Sequence, residues 1–409
     1  MQGKYIIFLL TMLVFYSCTE DIPKYGEVLY VDNDAKTVSY KKVEIKGLTS
    51  LSEMAGDNFE YLLNVKISEK ISESDLDGFD QYTATVDDIN DLTYQDKGEP
   101  VNLRYRVIDD TIIPYSINDS ILLTLHYNLQ SAIDFFKENG LSLSKGARSD
   151  SFGQMRIFFD LIFETQNQFG VMEPMTDNAM YYPFLNSLAF LPQDTLKHLA
   201  LVSNPMVITH EFSHAIFAYA AAGVMKGSDI YMDSVPKNCS EAISGFYTSG
   251  MNEGFSDYWA SRKTGSADLF YLSITKEEMG VHREPLQDRS LENNRNLTSQ
   301  MLILDTINCE NEINSTSYYW AGTIWASSMW EAQKTSGIQD FDKYLLKSYA
   351  CLYSEFSGYN NPITMATPGN CFVKTLKNEA DVSSQSVQKV CDILKRRFGI
   401  IKGEFDECN

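Results

Sequence analysis

Histidine is scarce in this chain of 409 residues: there are five, His126, His198, His210, His214 and His282. Two of them at a spacing useful to chemistry are therefore hard to ascribe to chance. Cationic side chains are also few, 34 Lys and Arg against 55 Asp and Glu, for a formal net charge of −21. That deficit argues against nucleic acid and anionic membrane surfaces as partners, since both demand a basic footprint; solubility accounts for the acidity. No apolar run reaches the roughly 20 residues of a spanning helix, and residues 5–16, at the start of the chain, fall short of it. No two cysteines stand at Cys-x-x-Cys spacing, which removes a structural zinc site of that kind, and there is no repeat or long low-complexity segment.

What is present centres on His210-Glu211-Phe212-Ser213-His214. On an α-helix residues four apart share a face, so both imidazoles can reach one zinc ion, and Glu211, one step round, can reach a water on that metal. A tetrahedral catalytic zinc takes three protein ligands and leaves its fourth position to water. Glu253, opening a second acidic helix within Gly250-Met251-Asn252-Glu253-Gly254-Phe255-Ser256-Asp257, is the candidate third ligand. Asp257 stands one turn further on the same face, where its carboxylate can accept the free N–H of a liganding histidine and set its tautomer. A His-Glu-x-x-His pattern alone also occurs on exposed helices without metal; the scarcity of histidine and the downstream acidic motif weigh against that reading here.

These two motifs resemble those of the gluzincin metallopeptidases, the thermolysin and fungalysin group. The resemblance implies that His210, His214 and Glu253 bind one Zn²⁺, that Glu211 is the general base and that Asp257 orients a histidine. It implies an α+β fold: a thermolysin-like two-lobed catalytic unit with a β-containing N-terminal lobe and a mainly α-helical C-terminal lobe, preceded here by a small β-rich region. The gap between the motifs is wider than in thermolysin, so residues 224–243 are expected to form an inserted loop over the cleft.

Further segments extend the likeness over about residues 115–400. Asn178 and Ala179 match a segment that forms an edge strand and grips the substrate backbone. Tyr247 stands near a tyrosine that hydrogen-bonds the oxyanion, with packing as its alternative, and Arg289 matches an arginine that contacts the substrate carbonyl. Asp288 replaces an apolar pocket wall. Tyr319 falls where the group carries a transition-state histidine; a tyrosine hydroxyl still donates a hydrogen bond but brings no positive charge.

The remaining chain supplies context. Residues 1–17 read as a signal peptide, and Ser17-Cys18 resembles a bacterial lipobox in which Cys18 is lipidated, although Phe15 and Tyr16 keep a plain secretory signal as the alternative. Both readings place the protein outside the cytoplasm; the lipobox reading puts it at the cell envelope or surface, tied to a membrane only through Cys18. Residues 18–115 read as strands and turns, with candidate strands at 28–31, 37–40, 82–86 and 102–107. They form a small β domain, join the catalytic sheet or act as a spacer.

Residues 116–258 make the catalytic lobe and residues 259–409 the mainly helical one. The first opens with a helix capped by Asn118 or Asp119 and stopped at Gly140, in which His126 is a packed histidine and not a ligand. The zinc helix starts at Pro205, after Ser203 or Asn204, and ends by Gly223. Amphipathic helices are expected at 341–351 and 384–398. Cys239, Cys309, Cys351, Cys371, Cys391 and Cys408 all follow the zinc helix; in an oxidising compartment they allow up to three disulfides, with the pairing open.

Taken together, these features predict a secreted or surface-anchored zinc metalloendopeptidase acting on a peptide or protein substrate. Two alternatives stand beside it: a surface binding protein that keeps the zinc scaffold without turnover, which Tyr319 favours, and a metal-dependent hydrolase of something other than peptide. No motif indicates calcium, and no feature bears on oligomeric state.

Overall fold

Apolar residues alternating along the first strands build an antiparallel hairpin in which β1 (Tyr25–Asp32) pairs with β2 (Thr37–Glu44), Val28 opposite Lys41. The computed structural model describes residues 21–33, 35–67, 94–142, 153–166, 172–183, 185–193, 199–222, 239–273, 289–297, 317–357 and 363–409. Cys18, His198, His282, Asp288, Cys309 and the candidate strand at 82–86 lie outside the described residues. β8 (Thr111–Pro114) runs parallel to β1 and antiparallel to β7 (Tyr105–Ile108), giving a first sheet of order β2-β1-β8-β7.

A second, five-stranded sheet packs through one edge strand on the helix that bears His210 and His214. Its centre is parallel, β3 (Phe59–Leu63), β9 (Met155–Phe159) and β13 (Ser187–Phe190), and its antiparallel edges are β6 (Glu99–Pro100) and β12 (Ala179–Tyr182). The near-continuous apolar run of β9 suits a strand covered on both faces. Tyr61, Ile157, Leu188 and Phe190 face the main core, while Phe158 and Ala189 face a smaller cluster with Val65, Ile67 and Phe163. That cluster lies beside a small sheet of order β11-β10-β4-β5, made of β4 (Lys66–Ile67), β5 (Tyr94–Asp96), β10 (Ile162–Gln166) and β11 (Met172–Pro174). Because β3 and β4 pair with β9 and β10, the N-terminal β region joins the sheets of the following segment, and its buried Val28, Ile45 and Phe59 belong to the main core.

The helices follow local signals with three shifts. α1 (Ile117–Glu138) is capped by Ser116, whose hydroxyl accepts from Asp119 N at 3.2 Å, earlier than either expected cap. α2 (Pro205–Phe217) is capped by Asn204, with proline in its first turn, and continues into a wider π turn over Ala218–Ala222. α3 (Cys239–Thr264) is helical from a point inside the expected loop, whose residues 223–238 lie outside the described ones. The C-terminal region is α4 (Ser317–Thr335), α5 (Phe341–Lys347), α6 (Tyr349–Ser357), α7 (Thr367–Lys377) and α8 (Ser384–Arg397). The single helix expected at 341–351 is divided at Ser348, whose hydroxyl turns back to the Leu345 carbonyl at 2.6 Å.

The whole is a mixed α+β fold, with sheets toward the N-terminus and helices toward the C-terminus. Disulfides Cys351–Cys371 and Cys391–Cys408 tie α6 to α7 and α8 to the final turn. Among the described residues no helix is long and apolar enough to cross a membrane.

Candidate metal centre

Every side chain of α2 from Met206 to Phe217 is buried. A helix apolar all round belongs inside a protein, and its polar members must find partners there. Thr209 and Ser213 turn back to the carbonyls of Pro205 and Thr209, each at 2.6 Å. His210, Glu211 and His214 face the crossing helix α3, which supplies Glu253 and, one turn on, Asp257. Against the expectation that it opens its helix, Glu253 lies well inside α3, between Gly250 and Gly254. Those glycines serve a close helix crossing instead: a Cβ on Gly254 would stand 2.5 Å from the Gly322 carbonyl oxygen of α4.

The nitrogen Nε2 of His210 lies 3.1 Å from Nε2 of His214, and the carboxylate of Glu253 lies 3.4 Å from the first and 3.8 Å from the second. Glu211 also has a carboxylate oxygen within 4.8 Å of both imidazoles. The buried group is able to hold a metal ion. Glu211 belongs to that group, and Glu253 brings a second carboxylate to the same two nitrogens.

A supporting layer surrounds these donors. Asp257 Oδ1 is 3.0 Å from His210 Nδ1, but off the ring N–H axis, so the contact is electrostatic rather than an aligned hydrogen bond. Ser256 Oγ lies 3.1 Å from His214 Nδ1 and is placed to accept its N–H when Nε2 faces a metal. Arg289 is almost wholly buried: its Nε and Nη2 donate to Asp257 at 3.0 and 2.9 Å, and Nη2 donates to Glu253 at 3.0 Å. Only Nη1 of this guanidinium is without a partner among the described residues. The segment bearing Arg289 is held to α8 by Arg397, which donates to the carbonyls of Asn293 and Arg295 at 2.9 Å each.

Charge is strongly perturbed here. Burial pulls His210 down, yet the carboxylates of Asp257 and Glu253 outweigh it and carry it up to about 9. Burial takes His214 the other way, to about 4. Burial pushes Glu253 up, but the two imidazoles and the Arg289 guanidinium hold it well below the usual carboxylate range. His210 is thus held cationic and His214 neutral beside three carboxyl groups and one arginine, an acidic surplus that suits a divalent cation.

The other expected residues divide. Tyr319, on the first turn of α4, lies with its ring 5.1 Å from the Arg289 guanidinium carbon, next to the cluster. Tyr247, almost two turns before Glu253 on α3, lines a small apolar pocket with Gly250, Met251, Trp325 and Phe398, which is its packing alternative. Ala179 opens the edge strand β12, which packs on α2, and Asn178 Oδ1 accepts from Ala179 N at 2.9 Å. His126 is packed in the core against Tyr61 and the Lys46 carbonyl, as expected. Cys351, Glu355 and Cys371 also converge, but the two sulfurs are joined in a disulfide.

Compared with protein-family models and with curated proteins, the chain gives no match. The site therefore stands on its own geometry. Sequence reasoning passed over Ser256, although it sits inside the quoted motif, and Phe270, for which no sequence signal exists.

Proposed function

We propose that this protein is a zinc metallopeptidase of the gluzincin type, in a thermolysin-like two-lobed arrangement, secreted or anchored to a membrane through Cys18. The main support is the spacing of the three donors. Ligands bound to zinc at 2.0–2.2 Å in a tetrahedron stand about 3.3–3.6 Å apart; the two imidazole Nε2 atoms are 3.1 Å apart, and Glu253 brings one carboxylate oxygen to 3.4 Å from His210 and the other to 3.8 Å from His214. Two imidazoles and a carboxylate also make a donor set suited to zinc with one position open.

When bound, zinc supplies a water of lowered pKa and polarises the scissile carbonyl. Glu211, in the same buried group as the two imidazoles, would accept the proton of the attacking water and return it to the leaving amine nitrogen. Arg289, which donates to Asp257 and Glu253, and the neighbouring Tyr319 hydroxyl would stabilise negative charge on the carbonyl oxygen. An extended peptide adds to the open edge of β12, with Asn178 and Ala179 at its start, through main-chain hydrogen bonds that tolerate many side chains. The burial of Asp257 and Arg289 excludes water behind His210 and keeps that ligand in place.

The decisive variant is Glu211→Gln. Zinc stoichiometry should stay at one per chain while cleavage of a denatured protein falls at least about a hundredfold; undiminished turnover would refute the assignment. A second reading, a surface binding protein that holds zinc without turnover, is favoured by Tyr319 in the place of a cationic histidine. It would be supported by a wild-type protein that retains zinc and leaves denatured protein intact with or without a chelator.

A further inference from the structure

The turn after α3, residues 265–273, folds back over the start of α2 and is held there by three contacts. Asn204 Nδ2 donates to Ser273 Oγ at 2.8 Å, Phe270 N reaches Met206 Sδ at 3.0 Å and Leu199 N donates to the Leu272 carbonyl at 2.9 Å. Within the turn Phe270 has φ +56°, a left-handed backbone that a bulky side chain keeps only where its surroundings over-determine it. Such outliers cluster where geometry matters to function.

The result of that conformation is aim. The buried Phe270 ring meets the His210 imidazole edge to face, with centroids 5.2 Å apart and planes at 83°, and the guanidinium carbon of Arg289 lies 5.3 Å from the centroid of the same ring. An imidazole turns easily about its last torsion, which is broad and roughly two-fold. A contact off the N–H axis, such as that of Asp257, attracts the ring without fixing its plane. Packing has to fix it.

We propose that Phe270 is a positioning residue of the metal centre, a wedge that holds the His210 ring in the rotation that directs Nε2 toward His214 and Glu253 and seats Arg289 against Asp257. This rests on the metal reading above. Phe270 offers no donor and no charge, so its effect is on ligand geometry alone.

The test uses the full chain, stripped of metal, with Zn²⁺ alone titrated against a chromophoric chelator, and Co²⁺ as a spectroscopic probe. Phe270→Leu keeps apolar bulk but loses the flat ring; Phe270→Gly relieves the left-handed backbone and loses the ring as well. Both should weaken zinc binding by about ten- to a hundredfold, the range for losing an outer-shell support, and both should shift the visible bands of bound Co²⁺, which a merely less stable fold would leave unchanged. Phe270→Tyr should restore affinity and spectrum. Wild-type affinity in Phe270→Leu and Phe270→Gly, or weaker binding with an unaltered Co²⁺ spectrum, would overturn the proposal. His210→Ala separates the two levels: if wild type binds no zinc, or His210→Ala binds as tightly as wild type, the metal reading fails and Phe270 falls with it. If His210→Ala alone loses zinc, only the wedge is wrong.

Discussion

Gly322 of α4 is pressed into the backbone of α3 at Gly254. A Cβ on Gly322 would stand 2.7 Å from the Gly250 carbonyl oxygen, 3.0 Å from Gly254 N and 3.1 Å from Cβ of Glu253. Two of these three neighbours are backbone, so the helices themselves must part to admit a methyl group. Tyr319 lies one turn before Gly322, with its ring 5.1 Å from the Arg289 guanidinium carbon, so the crossing helps to set it beside the cluster. Gly322→Ala should cost about 1–3 kcal/mol through overpacking and should weaken zinc binding as Glu253 is displaced. Thermal unfolding of the metal-free protein and a zinc titration read the two effects separately. An unchanged melting temperature with unchanged affinity would mean that the crossing has slack to spare.

Asp257 meets both His210 and Arg289 with almost no exposure of its own. Removing one member of a buried pair leaves an uncompensated charge, at a cost of about 3–5 kcal/mol. Glu253 still faces Arg289, so Asp257→Asn should fall at the low end, about 3 kcal/mol in urea denaturation of the metal-free protein. Zinc affinity should drop about 10- to 100-fold, as for other carboxylates behind liganding histidines. If denaturation shows the full loss but zinc binding is unaltered, Asp257 is structural and does not support the ligand.

His126 predicts a pH dependence. Its Nε2 lies 2.7 Å from the Lys46 carbonyl, which only accepts, so Nε2 carries the hydrogen and Nδ1 accepts from the Tyr61 hydroxyl at 3.0 Å. Burial lowers this imidazole from 6.5 to about 4. A histidine with a depressed folded pKa takes up its proton first in the unfolded chain, so the stabilisation is present in full above about 6.5 and is lost as pH falls toward about 4. The difference is worth roughly 3 kcal/mol. Denaturation of wild type and His126→Gln across pH 7 to pH 4, both metal-free, should show wild type losing roughly that much more than the variant. Parallel curves would show that His126 keeps its usual pKa in the fold.

Much of this molecule is written in short-range pattern. The four-residue spacing of His210 and His214, Asn204 and Pro205 at the start of α2, and the apolar periodicity of α1 and α8 are local; each is decided by backbone geometry within a turn or two, so each was legible before any coordinates. The same holds for the α+β character and for His126 as a packed residue. One local expectation failed: Glu253 does not open a helix but lies within α3, where Gly254 serves the close crossing with α4.

The rest belongs to contacts between residues far apart in the chain, which no local pattern encodes. That β3 lies against β9, that Arg289 bridges Asp257 and Glu253, that Ser256 meets His214 and that Phe270 leans on His210 all depend on how the elements pack. Residue types and intervals were enough to single out His210, Glu211 and His214, a buried group able to hold a metal ion. Only the packed core, by burying these side chains against Glu253, Asp257 and Arg289 and excluding water around them, decided what surrounds them.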